Sequence, residues 1–279
     1  MKIRCWGARG SIPVSGSEYL RYGGDTTCIE IRNQNDDIII IDCGSGVRRL
    51  GNRLLREKRH EYSIIFTHAH WDHILGFPFF RPIYFSGTRI FVHGCIYGQR
   101  SIKSILTTSM EPPFFPVDLA SVKAEIICSD TCAVPFSIGD MQITPIQLSH
   151  PNMGFGYKFS EADATFVFLT DNELDYQHPN GKSYEEYREF CRGADLLIHD
   201  AEYTDEEYQR TRTWGHSPYR RALALALEAG VKSFGLFHHN QERSDDALDA
   251  ILEDCRTIIS AENSQLDCFA LTQETEIDL

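Results

Sequence analysis

The stretch FTHAHWDHILGF, residues 66–77, packs three histidines and one aspartate into the six positions 68–73. It begins inside SIIFTH (63–68), which reads as a strand buried on both faces whose end delivers His68. On extended chain His68 and His70 are two apart, so both imidazoles project to the same side and can share a metal. Asp72 and His73 are adjacent, and neighbours on extended chain point apart. A turn must intervene before both can face a second metal, and Gly76 fits such a bend. Imidazoles with a carboxylate, and no cysteine among them, suit Zn, Mn or Fe.

The same pattern recurs outward along the chain. MQITPIQLSH (141–150) reads as a strand ending in His150, and TFVFLTD (165–171) as one ending in Asp171. DLLIHD (195–200) ends in His199-Asp200, and SFGLFHH (233–239) in His238-His239. Ionisable groups directly after buried strands are costly without partners, so five such ends imply one shared site. Further strands are expected at 2–6, 27–32 (both by alternation), 38–42, 89–93 and 125–129. Helical spacing runs from Val47 to Lys58. Ser217-Pro218 reads as an N-cap and first turn, with Gly230 as the stop, and Ser244 with Asp245 and Asp246 starts another helix. Without repeats, linkers or low-complexity tracts, residues 1–279 read as one domain. The strand and helix order suggests an α/β (α+β) fold of two packed sheets with helices outside.

Composition narrows the functions. The net charge is −13, which repels a long anionic polymer at a distance and argues against nucleic acid as the partner. The one basic cluster (Arg48, Arg49, Arg53, Arg56, Lys58, Arg59) reads as a solvated helix face. No apolar run approaches membrane-helix length, and MKIRCWGARG lacks a signal-peptide core, which points to a cytoplasmic protein. Nine scattered cysteines read as free thiols, with Cys128 and Cys132 the closest pair. The aromatic and proline-rich region 77–119 reads as a lid, a substrate wall, a homodimer interface or core.

FTHAHWDH resembles the signature of the metallo-β-lactamase fold hydrolases. WGARGSIPVSG, YGGDTTC, IIIDCGSG, FFPV, LSHP, LTD, IHDAEY, WGHS and LFHH follow in the order of its phosphodiesterase branch, which holds ribonuclease Z and small cyclic phosphodiesterases. The resemblance implies an αββα sandwich over nearly the whole chain. It also implies two divalent metal ions (Zn, Mn or Fe): His68, His70 and His150 on the first, Asp72, His73 and His238 on the second, and Asp171 between them. Asp72 would also be catalytic. His238 is taken over His239 from its place after Leu-Phe.

IHDAEY places Asp200 where the branch has glutamate, and WGHS matches its Gly-His-Ser motif. The implied pair is Asp200 orienting His216, which protonates the leaving oxygen. Asp42, His199 and His239 are expected behind the ligands or against the substrate. The implied activity is hydrolysis of a small or cyclic, nucleotide-like phosphodiester by a metal-bridging hydroxide. No insertion resembles the tRNA-gripping arm of ribonuclease Z. The alternative is a non-hydrolytic di-iron protein of the same fold, although that branch has glutamate where this chain has His70.

Overall fold

The computed structural model describes residues 1–97, 100–129 and 133–279. In chain order its strands are β1 (Lys2–Gly7), β2 (Cys28–Arg32), β3 (Ile38–Ile41), β4 (Glu61–Ile65), β5 (Arg89–His93), β6 (Ile96–Tyr97), β7 (Arg100–Ser101) and β8 (Glu125–Ser129). There follow β9 (Phe136–Ile138), β10 (Met141–Gln147), β11 (Phe155–Glu161), β12 (Ala164–Leu169), β13 (Leu196–Asp200), β14 (Ser233–Phe237), β15 (Asp267–Ala270) and β16 (Glu276–Asp278). The helices are α1 (Val47–Arg56), α2 (Trp71–Ile74), α3 (Ile102–Ser109), α4 (Tyr184–Cys191), α5 (Asp205–Thr211), α6 (Tyr219–Ala229) and α7 (Asp245–Ala261).

Two mixed seven-stranded sheets form, in the orders β16-β1-β2-β3-β4-β5-β8 and β15-β14-β13-β12-β11-β10-β9. They pack face to face with helices outside, an α/β sandwich. Side chains of β12 and β13 show why their sequences are continuously apolar. Phe166, Phe168, Leu196 and Ile198 enter the core between the sheets. Val167, Leu169 and Leu197 enter the one under α4, α6 and α7. Both faces of these strands are dry. Strands β12, β13, β14 and β15 are mutually parallel, and two antiparallel steps through β11 make β10 run the same way as β12. The C-terminal ends of β10, β12, β13 and β14 therefore share one rim, where ligand sites of such sheets form.

Several local expectations need correction. Strand 27–32 does not alternate: β2 is buried along nearly its whole length, and Glu30 is 2% exposed. Its carboxylate accepts from Trp6 Nε1 at 2.9 Å and from Arg32 Nε at 2.6 Å, which makes the burial tolerable. Helix α6 begins at Tyr219 with Pro218 as its N-cap. Ser217 is drawn instead into the neighbouring loop, donating to Asn172 O at 2.5 Å and accepting from Leu174 N at 3.0 Å. Gly230 does end the helix, in the left-handed conformation (φ 65°). Asp245 accepts from Arg21 N at 2.7 Å as well as opening α7.

The reading of all cysteines as thiols fails at Cys95, which is disulfide-bonded. Cys132, and with it the Cys128–Cys132 pair, lies outside the described residues. Region 77–119 divides: Phe77, Phe80 and Ile83 are core, while Phe79 and Phe114 stay exposed. No helix among the described residues is long and apolar enough to cross a membrane.

Candidate metal centre

The strands stop one to three residues before Asp42, His68, His150, Asp171 and His238, and short irregular segments aim these side chains, whereas Asp200 closes its own strand. The one-turn helix α2 supplies the bend needed after His70. It brings Asp72 Oδ2 to 3.2 Å from His73 Nε2, although the two residues are adjacent. Asp42, Asp171 and His238, each just past a strand end, have φ of 60°, 51° and 56°. Non-glycine residues in this left-handed region cost on the order of 1 kcal/mol or more each, and such strain concentrates at functional sites.

Two groups of four donor atoms result, each lying within 4.8 Å: His68, His70, His150 and Asp171, and Asp72, His73, Asp171 and His238, with a third group of three, Asp200, His216 and His238, beside the second. Asp171 belongs to both groups of four. Its carboxylate is 3.5 Å from His68 Nε2 and 3.8 Å from His150 Nε2, and 3.3 Å from both His73 Nε2 and His238 Nε2. Buried acceptors fix three of the rings. His73 Nδ1 donates to Asp42 Oδ2 at 2.7 Å, His150 Nδ1 to Gly215 O at 2.9 Å and His238 Nδ1 to Glu202 Oε2 at 3.0 Å. Each therefore presents Nε2 to the centre, as an imidazole ligand held from behind does.

The electrostatics match a site built for cations. Burial pushes His68, His70 and His150 below the ordinary histidine range. It pulls the same way at His73 and His238, but the surrounding carboxylates prevail and raise both well above it. Burial would raise Asp72 and Asp171. The imidazoles instead hold both well below the usual carboxylate range. His68 Nε2 and His73 Nε2 are buried with no hydrogen-bond partner. An unsatisfied buried nitrogen is expensive, and a cation at the centre of each group would satisfy it. The donor set fits two divalent ions.

Beside the second group stands His216. Its Nδ1 lies 2.6 Å from Asp200 Oδ2 and 3.3 Å from Glu202 Oε2, and its ring stacks on His238 at 4.6 Å. Burial alone would lower its pKa, but Glu202 and Asp200 outweigh that and hold it at about 9. The shorter aspartate thus reaches the histidine. His199 is buried away from the clustered donors, with Nε2 near Asn172 Nδ2 at 3.2 Å. His239 likewise turns away: its Nε2 donates to Leu271 O at 2.8 Å, and burial lowers its pKa to about 3.

Sequence reasoning missed four supports. Glu202, within IHDAEY, links His238 and His216. Thr67 hydrogen-bonds Asp42 at 2.7 Å and His68 Nδ1 at 3.1 Å. Asn172 Oδ1 accepts from Ser149 N at 2.9 Å, fixing the residue before His150. Buried Glu173 accepts from Thr213 N at 2.7 Å and Gly215 N at 2.8 Å, and so holds the loop that carries His216. Each is a neighbour of a quoted motif residue, but only the folded chain shows its partner.

Gly215 has φ 96°, and a Cβ added there would lie 2.1 Å from His150 Nδ1. Gly215→Ala should therefore displace His150 and cost about 1–3 kcal/mol of stability. Metal analysis and thermal melts check this. A variant with full metal content and an unchanged melt would contradict the packing.

Two sheets with helices outside and this rim of His and Asp donors define a metallo-β-lactamase-type sandwich. The sequence pattern of the Beta-lactamase superfamily domain matches residues 38–239, and the chain belongs to that superfamily. It is similar to ribonuclease Z of Bacillus cereus, at 23% identity over 282 positions covering 83% of this chain and 88% of that protein. Among solved structures, the metallo-beta-lactamase fold protein YhfI from Bacillus subtilis superposes with a TM-score of 0.70 at 17% identity, covering 99% and 98% of the two chains. A diphosphatase of the PhnP family superposes at 0.67 and 16% identity, covering 100% and 97%. The ribonuclease Z match supports the phosphodiesterase branch.

Proposed function

We propose that this chain is a dinuclear metal-dependent phosphodiesterase acting on a small or cyclic phosphodiester. The observation that carries the reading is the pairing of a two-lobed His/Asp cluster with a buried acid, His216, held by Asp200 at 2.6 Å. His68, His70 and His150 would hold one ion, Asp72, His73 and His238 the other, and Asp171 both. Bound there, two divalent ions (Zn, Mn or Fe) supply a water of lowered pKa and offset the charge gathering on the phosphoryl oxygens.

The protein's own groups do the rest. Asp42 and Glu202 keep His73 and His238 in the tautomer that exposes Nε2. Asp200 and Glu202 favour the protonated form of His216 and leave its Nε2 to pass a proton to the departing oxygen. Ser11 N donates to Asp72 Oδ2 at 2.9 Å, which orients that carboxylate.

A small substrate is favoured over RNA on charge. The chain carries −13, and three of the six residues in its basic cluster are paired: Arg53 with Glu57 at 2.6 Å, Arg49 with Glu274 and Arg59 with Asp36. That reduces the free cations available to release counterions from a polynucleotide.

The deciding experiment is metal analysis of the purified protein together with a panel of linear and cyclic phosphodiesters, including bis(p-nitrophenyl) phosphate. Turnover that chelation abolishes and metal restores is expected. Bound iron with an oxygen-dependent visible spectrum and no turnover would replace this reading with the di-iron one. Chelation should also lower the melting temperature by about 5–15 °C, since saturating ligand stabilises the folded state by a few kcal/mol. An unmoved melt would count against tightly held metal.

A further inference from the structure

Two cavities flank the donor cluster, and they differ in chemistry. The first, about 340 Å³, opens beside His68 and His70. Its walls include Trp71, Ile105, Phe114 and Met153, with Asn152 and the cationic Arg100 among its polar residues. Trp71 and Phe114 are 61% and 65% exposed, large aromatic faces left in water beside a buried polar centre. The second, about 370 Å³, adjoins His216 and contains Trp214 with Glu202, Glu206 and Glu242. Its Arg210 lies 3.9 Å from Glu206, so the wall is acidic on balance.

The cluster lies between them. His150 touches His70 on one side (3.0 Å) and the His216 ring on the other (5.2 Å between centroids). A phosphodiester over the cluster directs its two ester oxygens to unlike surroundings. His216 faces the acidic cavity, so the group seated there departs.

We propose that the substrate is an asymmetric phosphodiester. Its retained half carries a flat aromatic group, a nucleobase, against Trp71 and Phe114. Its departing alcohol is uncharged or cationic and occupies the Glu-lined cavity. The inference rests on the phosphodiesterase reading and names its substrate class. The oxygen of water bonds to phosphorus, the P–O bond to the alcohol breaks, the alcohol takes a proton from His216, and the proton that water gives up passes to solvent, from which His216 is reprotonated. The products are a nucleoside monophosphate and a free alcohol. A departing polynucleotide strand, with a negative charge at each residue, would meet carboxylates.

The test uses the metal-loaded protein. Thymidine 5′-(p-nitrophenyl phosphate) should exceed methyl p-nitrophenyl phosphate in kcat/KM by about 5- to 100-fold, the range of one base stacked on an aromatic side chain. Phe114→Ala should collapse that ratio. Thymidine 5′-monophosphate should quench tryptophan fluorescence in Trp214→Phe but not in Trp71→Phe, a readout independent of turnover. On the departing side, thymidine 5′-phosphate esters of choline, ethanol and glycolic acid should react in that order, with about tenfold or more between the first and last. The double variant E206Q/E242Q should shrink that spread.

Equal rates for the thymidine and methyl esters, or a glycolate ester as fast as the choline ester, would overturn the proposal. Turnover of bis(p-nitrophenyl) phosphate without these preferences would sink this inference alone. Inertness towards every ester would remove the phosphodiesterase reading beneath it.

Discussion

Asp171→Asn is expected to lose bound metal and to lower phosphodiester turnover on the order of a thousandfold or more. Every other donor of the two four-residue groups serves only one of those two, whereas this carboxylate lies within 3.8 Å of the Nε2 atoms of His68, His73, His150 and His238. An amide keeps the shape but removes the charge that offsets those imidazoles, and it presents one oxygen where the carboxylate presents two. Both ions should be affected together. Elemental analysis of the variant and its rate on bis(p-nitrophenyl) phosphate measure the effect, and circular dichroism checks the fold. Full metal content with a rate near that of the unaltered protein would refute the bridging role.

His216→Ala makes a different demand. If His216 protonates the departing oxygen, its loss should slow alkyl phosphodiesters by about 10²–10⁴-fold, the usual worth of general acid catalysis. A p-nitrophenyl ester departs without needing a proton, so its rate should change little. The contrast between the esters is the measurement, because a merely structural role would slow both alike. An equal fall on both would leave the acid unassigned. Asp200→Asn should show the same selectivity in weaker form, since its carboxylate reaches the departing oxygen only by way of His216 Nδ1 at 2.6 Å, while also accepting from the backbone N–H groups of Asn172, Glu202 and Ser217.

Much of this centre is legible in the sequence because metal ligands are chemically distinctive and their backbone settings are local. A buried apolar strand followed by His-x-His, with Asp-His after it, restricts the geometry within eight residues. The supporting groups are harder to see. Glu202 reads like a surface acid beside IHDA, yet it is 2% exposed and joins His238 to His216 across 36 and 14 positions of chain. Alternation at 27–32 likewise suggested a half-exposed strand, but Trp6 and Arg32 supply partners that let Glu30 be buried. In each case the partner lies far away in sequence, or its pairing depends on the fold.

From sequence alone came the two-sheet class, the donor types and the residues His68, His70, Asp72, His73, His150, Asp171 and His238. The strand ends that carry them follow from hydrophobic period and side-chain chemistry, which are properties of short segments, and the choice of these seven among them is what the family resemblance implied. The tertiary structure decided how those residues meet. It set the left-handed turns at Asp42, Asp171 and His238 and the reach of Asp200 to His216, and it brings His238, already chosen over His239, into the cluster. It also placed an aromatic cavity on one side of the cluster and an acidic one on the other. Convergence of strand ends on one rim depends on strand order and direction, which are set by long-range packing that no local pattern encodes.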